Sequence, residues 1–394
     1  MTFLLFILLL FEILSFLTLK DHFSRGSRSA YYGIMAVHSA LSLAVWFYAL
    51  TVIFFKGHAD DPEYINKQLI FSGLLSAILT PRILLCFLHF TGKLLRTKKG
   101  GHSRLLTESG LIFSGLIFLV VVHGSYTGRY NFRTEEVTVR LKNLNPSLDG
   151  LVIAQLSDLH LSSFFRHPGR LDDVMKRIEK YQPDLIINTG DFVTVGSREF
   201  TGFDTILSKY RGRYGNYAIL GNHDMGTYFP SGETEEKRMT PVLMDSLISA
   251  SGYRVLNDEN DIIDIHGVKV AVMGITTSGR HPRIIHGDIG KAISGTGSAG
   301  LKILLCHDPN QWDSEVAGRT DIQLSLAGHT HGMQIGIITR KYRWSPAAYY
   351  YPRWNGLYSE GNQYLYVNRG LGVLGIPFRI GMPPEITIIT LRTG

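Results

Sequence analysis

Five apolar runs, each closed by a short polar cluster, set the tightest limit on what this chain can fold into. They read LVIAQLSDLH, DLIINTGD, NYAILGNHD, LKILLCHDP and DIQLSLAGHTH, and they hold five of the fifteen histidines. Each run is short and rich in Val, Ile and Leu, the composition of strands buried on both faces. Each ends in carboxylate, imidazole or amide. Ligands on open α/β sheets collect at the carboxyl ends of the strands, so five such endings point to one site assembled from separate loops. Asp, His and Asn side chains converging without a cysteine suit hard or borderline divalent metals. A single Asp-x-His arises by chance, and Gly-Asp after a strand is ordinarily a turn. GNHD and GHTH are harder to explain by packing, because several metal-capable side chains crowd into four residues. The chain reads as a metal-dependent hydrolase.

A length of 394 residues leaves room for a second region beside that domain. Apolar stretches at about 3–19, 30–55, 68–91 and 106–124 approach or exceed the roughly 17–25 residues that span a bilayer. The expectation is an all-α membrane region of four transmembrane helices over 1–125, followed by a catalytic domain over 126–394. The first stretch has no basic start and no small-residue cleavage site, and Glu12 interrupts it, so it reads as a retained span rather than a leader. Lys20, Arg25 and Arg28 follow span 1, and Lys93, Arg96, Lys98, Lys99 and Arg104 follow span 3. The loop between spans 2 and 3 instead carries Asp60, Asp61 and Glu63. The positive-inside rule then places both basic loops in the cytoplasm and both termini outside. This describes a multi-pass protein of the inner or plasma membrane with an extracytoplasmic catalytic domain.

Glu12 and Arg82 fall near the middle of spans 1 and 3, where an unpaired charge costs about 2.5–3.5 kcal/mol on insertion scales. They are expected to pair or to snorkel. The net charge of +7 sits largely in the topogenic loops, and no zinc-finger, helix-turn-helix or base-stacking pattern appears, so no nucleic-acid partner is implied. Cys86 lies inside span 3 and Cys306 ends a strand, which excludes a disulfide framework.

In the soluble part, strands are expected near 136–141, 151–157, 184–189, 216–220, 253–256, 261–265, 268–274, 301–306 and 321–326. Helices are expected near 170–181, 200–209 and 240–250. Leu171, Val174, Met175 and Ile178 fall at helical spacing in the first of these. The segment 226–240 reads as a surface loop and the glycine-rich 278–300 as a mobile one. Alternation returns at 363–368 and 385–391, suggesting a second sheet.

Taken together, these five motifs in this order resemble the calcineurin-like metallophosphoesterase family over about residues 150–390. GHTHGMQ and the tail GNQYLYVNRGLGVLGIPFRIGMPPEITIITL are similar to a branch of membrane-associated or exported phosphodiesterases. The resemblance implies an α/β fold, a four-layer α/β/β/α sandwich, with two divalent metal ions at the sheets' carboxyl edge. It assigns Asp158, His160 and His331 to the first metal, Asn222, His307 and His329 to the second, and Asp191 to both. His223 is similar to the family's unliganded histidine that protonates the leaving oxygen, and Asp224 beside it is placed to orient that imidazole. A bridging hydroxide between dications is a nucleophile at neutral pH. Mn²⁺, Fe and Zn²⁺ all tolerate this donor set. One departure is Thr194, where the family often has a supporting Asp, so altered tuning is expected.

Arg369 and Arg379 are candidates to grip a substrate phosphate through the bidentate fit of guanidinium. The aromatic run Tyr349, Tyr350, Tyr351, Pro352, Arg353 and Trp354 is a candidate pocket lip or membrane-interface anchor. The function expected is a membrane-anchored two-metal phosphodiesterase or pyrophosphohydrolase acting on a lipid-linked or envelope phosphate ester. One alternative is the UDP-2,3-diacylglucosamine hydrolase of lipid A synthesis. The other is a catalytically inactive metal-binding sensor or transporter module.

Overall fold

The computed structural model describes residues 2–24, 26–55, 57–95, 101–228, 241–277 and 286–394. It divides into two compact units, one of residues 1–56, 67–127 and 375–378 and one of 57–66, 128–374 and 379–394.

The first unit is built on helices α1 (Thr2–Phe23), α2 (Arg28–Ile53), α3 (Pro62–Leu94) and α4 (Gly101–Tyr126). Three stretches, Arg28–Ile53, Pro62–Leu94 and Arg104–Tyr130, are long and apolar enough to cross a membrane. Apolar side chains such as Leu43, Phe47, Ile112 and Leu119 are exposed along them, as expected for surfaces that meet lipid. Glu12 and Arg82 pair at 3.2 Å. The Trp46 indole donates to the second Glu12 oxygen at 2.7 Å, and Arg82 also donates to Ser42 Oγ at 2.8 Å. Both mid-helix charges are therefore matched, which removes the cost of an isolated ion in an apolar setting.

The second unit holds two six-stranded sheets. The first sheet contains β1 (Arg133–Leu141), β2 (Val152–Leu156), β3 (Leu185–Asn188), β4 (Asn216–Ala218), β5 (Arg254–Val255) and β14 (Glu385–Thr393), in the order β1-β14-β2-β3-β4-β5. The second contains β6 (Glu259–Ile265), β7 (Val268–Ile275), β8 (Leu301–Cys306), β9 (Leu324–Ala327), β12 (Gly356–Glu360) and β13 (Gln363–Val367), in the order β12-β13-β9-β8-β7-β6. The strands that lead into the motifs run parallel, β2 to β3 to β4 in one sheet and β8 to β9 in the other. Their carboxyl ends therefore point the same way within each sheet. A two-stranded ribbon, β10 (Ile337–Ile338) with β11 (Arg343–Trp344), stands apart.

Alternation along the strands decides where the core sits, because successive side chains face opposite sides of a sheet. Ile153, Leu185 and Ile187 meet Val270, Val272, Ile303 and Leu326 of the other sheet in one buried cluster. The residues between them, Ala154, Leu156 and Ile186, face away and pack against α5 (Gly169–Glu179) and α7 (Pro241–Ala250). In the second sheet Ala271, Met273 and Leu304 likewise face away, toward Trp312, Val316 and α8 (Ile289–Ile293). The short helix α6 (Asp204–Leu207) completes the set.

Two expectations are corrected. The alternating tail does not make one sheet of its own: β13 joins β9, but β14 inserts between β1 and β2 of the other sheet. Both strands alternate alike, so periodicity carries no information about which edge each will pair with. Within 278–300, expected as a loop, residues 289–293 are helical with Asp288 capping the Lys291 amide; residues 278–285, like 229–240 of the other expected loop, lie outside the described residues.

Candidate metal centre

Every candidate ligand sits on the loop that leaves the carboxyl end of a parallel strand. Asp158 and His160 follow β2, Asp191 follows β3, Asn222 to Asp224 follow β4, His307 follows β8, and His329 and His331 follow β9. The loops turn sharply to bring these side chains together. Asp158, His160, Asp191, His329 and His331 all adopt left-handed backbone angles, with φ between 40° and 68°. Such angles cost non-glycine residues about 1–3 kcal/mol each and persist where surrounding structure enforces them, often at functional sites. Close approach explains two glycines: a Cβ on Gly221 would meet the Asp191 carboxylate, and one on Gly328 would meet Ser157 and Asp158.

The structure gathers these side chains into two adjacent groups, Asp158 with His160 and His331, and Asp191 with His307 and His329. Within the first, His160 Nε2 is 3.1 Å from His331 Nε2, which is 3.3 Å from Asp158 Oδ1. Within the second, His307 Nε2 is 3.1 Å from Asp191 Oδ2 and 3.2 Å from His329 Nδ1. Asn222 Oδ1 lies 3.1 Å from the same His307 nitrogen. Asp191 Oδ2 also comes within 3.9 Å of His160 Nε2, which puts this carboxylate between the groups.

The chemistry of this donor set fits divalent metal. Imidazole nitrogens face one another at 3.1–3.2 Å, close to the edge of a coordination shell built on metal–nitrogen bonds of roughly 2.0–2.1 Å. His307 donates Nδ1–H to the Thr189 carbonyl at 2.7 Å, leaving Nε2 as the free ligand atom, the usual division of labour in a metal-binding histidine. The electrostatics divide the histidines: burial lowers the His160, His223 and His329 imidazoles, whereas the carboxylates win at His307. Burial alone would lower the His307 imidazole, but Asp191, backed by Asp158, raises it to about 10. Burial would likewise raise the Asp158 carboxyl, yet His331 and His307 hold it well below the usual carboxylate range.

His223 is nine-tenths or more buried beside these groups, its ring edge-on to His160 at 4.9 Å. It donates Nδ1–H to the Thr194 carbonyl at 2.6 Å, so Nε2 is the atom left for chemistry. Asp224 is not its orienting partner, and that expectation is corrected. The Asp224 carboxylate instead accepts the amides of Phe192, Val193 and Gly221. Its neighbour in sequence turns the other way, and burial with nearby Asp191 raises the Asp224 carboxyl to about 7. Asp224 thus braces the Asp191 loop, and the orienting carbonyl comes from Thr194, the position flagged for its departure. The Thr194 hydroxyl also lies 3.3 Å from His160 Nδ1.

Both candidate arginines are buried and engaged within the protein. Arg369 is buried and paired with Glu135 at 2.6 Å and Glu385 at 2.8 Å. Arg379 is buried and donates to the carbonyls of Arg369, Gly370 and Gly372, with Nη2 3.3 Å from His331 Nδ1. It acts on the centre by holding the loop behind His331. The aromatic run splits. Tyr351 approaches His329 Nε2 through its hydroxyl at 2.8 Å, Trp354 is buried, and Tyr349 and Tyr350 are exposed.

Tyr228 escaped the sequence reading. Its ring stacks on His223 at 4.0 Å and its hydroxyl meets Asn222 Nδ2 at 3.3 Å. A lone Tyr following GNHD in a glycine-containing turn has no pattern that would reveal this.

Residues 151–333 match the family model described as calcineurin-like phosphoesterase. The chain is similar to the uncharacterized metallophosphoesterase YkuE of Bacillus subtilis, 29% identical over 282 residues, covering 69% of this chain and 89% of that protein. It is also similar to the Danio rerio transmembrane protein with metallophosphoesterase domain, 29% identical over 308 residues, covering 76% of this chain and 67% of the relative. Phosphodiesterase YaeI of Escherichia coli is 29% identical over 242 residues, covering 60% of this chain and 80% of that protein.

Proposed function

Residues 151–333 form a calcineurin-like metallophosphoesterase domain, that of a metal-dependent phosphoric ester hydrolase, and we propose that it acts on a lipid-linked or envelope phosphodiester or pyrophosphate. The reading takes Asp158, His160 and His331 as ligands of one divalent ion, and His307, His329 and Asn222 as ligands of a second, with Asp191 serving both. It takes the two sheets and their covering helices as a four-layer α/β/β/α sandwich, α1 as a fourth span, and the division between membrane region and hydrolase at about residue 126. The basic loops after α1 and α3 support an extracytoplasmic domain. Tethering beside a bilayer favours lipid-borne substrates by raising their effective concentration.

Bound in these groups, Mn²⁺, Fe or Zn²⁺ would activate water and neutralise charge on the phosphoryl oxygens. The residues of the chain supply the remainder. In-line attack of water on phosphorus breaks the P–O bond to the leaving group, and protonated His223, held by the Thr194 carbonyl, gives its Nε2 proton to the departing oxygen. A phosphodiester gives a phosphomonoester and an alcohol, and a pyrophosphate gives two phosphate monoesters, the oxygen of water staying on the attacked phosphorus in each case. Tyr228 keeps the imidazole in plane, and the bracing by Asp224 and Arg379 keeps the loops from relaxing their left-handed turns.

The observation that carries this reading is the convergence of two buried Asp/His groups with His223 at one edge. The test is hydrolysis of bis-p-nitrophenyl phosphate by full-length protein. Asp191→Asn should reduce turnover by at least about 10²-fold, the scale of losing a charge-stabilising group. Chelation should abolish turnover and added Mn²⁺ restore it. Undiminished activity in Asp191→Asn would overturn the mechanism.

A further inference from the structure

The segment that follows GHTH is unlike the rest of the second unit in charge and exposure. Between Asp321 and Glu360 the chain contains no Asp or Glu, while Arg340, Lys341, Arg343 and Arg353 all fall there. Arg353 is engaged, paired with Asp313 at 2.7 Å. Arg340, Lys341 and Arg343 are exposed, and no carboxylate among the described residues pairs with them. Large apolar side chains stand among these cations, with Ile337 50%, Tyr342 56%, Tyr349 76% and Tyr350 70% exposed.

This exposure is built, not frayed. A two-stranded ribbon is marginal by itself in water, and this one is fastened at several points. Ile338 packs with Ala347, Trp354 and Met382, while Ile337, which alternates to the other face of the ribbon, is exposed. The Tyr342 carbonyl closes the turn by accepting the Thr339 amide at 2.8 Å. Ser345 Oγ donates to the Gly332 carbonyl at 2.6 Å, and Thr330 Oγ1 donates to the Trp354 carbonyl at 2.8 Å. The ribbon and the tyrosine turn are thus bolted to the loop that carries His329 and His331.

We propose that this ribbon and tyrosine turn, residues 337–350, form a docking surface for an anionic bilayer, presenting the metal centre to phosphate esters carried in that bilayer. Tyr rings accumulate at membrane interfaces, where an apolar body and a polar tip are both satisfied. Unpaired Lys and Arg add attraction to anionic headgroups. A bilayer is within reach on covalent grounds alone. Six residues separate Tyr126, the end of α4, from Arg133, the start of β1, a tether of at most roughly 20–25 Å. The inference deepens the lipid-linked substrate reading and takes its catalytic meaning from it.

The test uses full-length protein carrying Tyr349→Cys, labelled there with bimane while the native Cys86 and Cys306 remain buried. It is placed singly in nanodiscs of phosphatidylcholine, with or without phosphatidylglycerol. In the anionic discs the label should shift to the blue and be quenched by brominated lipid. Replacing Arg340, Lys341 and Arg343 by Ser should lower the docked-to-free ratio by about fivefold per cation, as should salt near 1 M, where the screening length falls to about 3 Å. Hydrolysis of water-soluble bis-p-nitrophenyl phosphate should be unchanged in that triple variant. A label that stays water-like in anionic discs overturns the proposal. So does one shielded only when two copies share a disc, since the surface would then be a contact between copies. Loss of the soluble activity in every form, with the lipid response intact, would instead sink the catalytic reading and leave the surface standing.

Discussion

Arg369 illustrates how little a residue's type says about its task. A guanidinium after a glycine-bounded strand is chemically suited to phosphate, yet this one donates a hydrogen bond to Glu135 and forms an ion pair with Glu385, which is wholly buried. Arg369→Gln should therefore act on stability. Leaving the Glu385 carboxylate without its partner should cost about 3–5 kcal/mol, the usual penalty for breaking a buried pair, read as a lowered denaturation midpoint. The KM for a soluble diester should stay the same in the folded fraction. A raised KM with an unchanged midpoint would return Arg369 to the substrate. The same lesson applies to Asp224: adjacency to His223 in sequence suggested a partnership that the direction of the two side chains rules out.

At the scale of an element, the turn after β3 does work that no single residue does. Glu199, wholly buried, accepts the amides of Thr194, Val195, Gly196 and Ser162. Burial raises its carboxyl above the ordinary range, and those amides pull it back. This carboxylate shapes the turn that delivers the Thr194 carbonyl to His223 and the Thr194 hydroxyl to His160. Glu199→Gln replaces one acceptor by a donor facing donors, so the turn should open. Leaving a buried donor unsatisfied costs about 1–3 kcal/mol. Under the proposed role of His223 as proton donor, turnover should fall more for esters with poor leaving groups than for p-nitrophenyl esters, since only the former would depend on that proton. Equal losses for both would place the effect elsewhere than on that imidazole.

For the whole molecule, the distribution of charge along the chain argues for an orientation. Basic clusters of Lys20, Arg25 and Arg28, and of Lys93 to Arg104, alternate along the sequence with an acidic cluster of Asp60, Asp61 and Glu63. If α1 is also a span, as proposed above, the positive-inside rule would put the acidic segment and the hydrolase outside the cytoplasm. A reporter joined after Gly394 that is active only outside the cytoplasm should therefore function. Activity of a reporter that works only in the cytoplasm would reverse the orientation and redirect the substrate to the inner leaflet.

What the chain alone determined is whatever local chemistry and periodicity can encode. Apolar runs mark β2, β3 and β8 to within a residue at each end, because a strand buried on both faces is mostly apolar, and β4 starts where expected but ends at Ala218. Asp158, His160, Asp191, Asn222, His307, His329 and His331 stood out because each ends such a run. What only the tertiary structure decided are pairings between distant segments and the direction of side chains in strained turns. Nothing local tells β14 to insert beside β2 while β13 joins β9, since both alternate alike. Nothing local sends Asp224 to the amides of the Asp191 loop, Arg369 to Glu385, or Tyr228 onto His223. These outcomes follow from which buried donors and charges remain to be satisfied once the sheets have packed, and that is a property of the assembled fold.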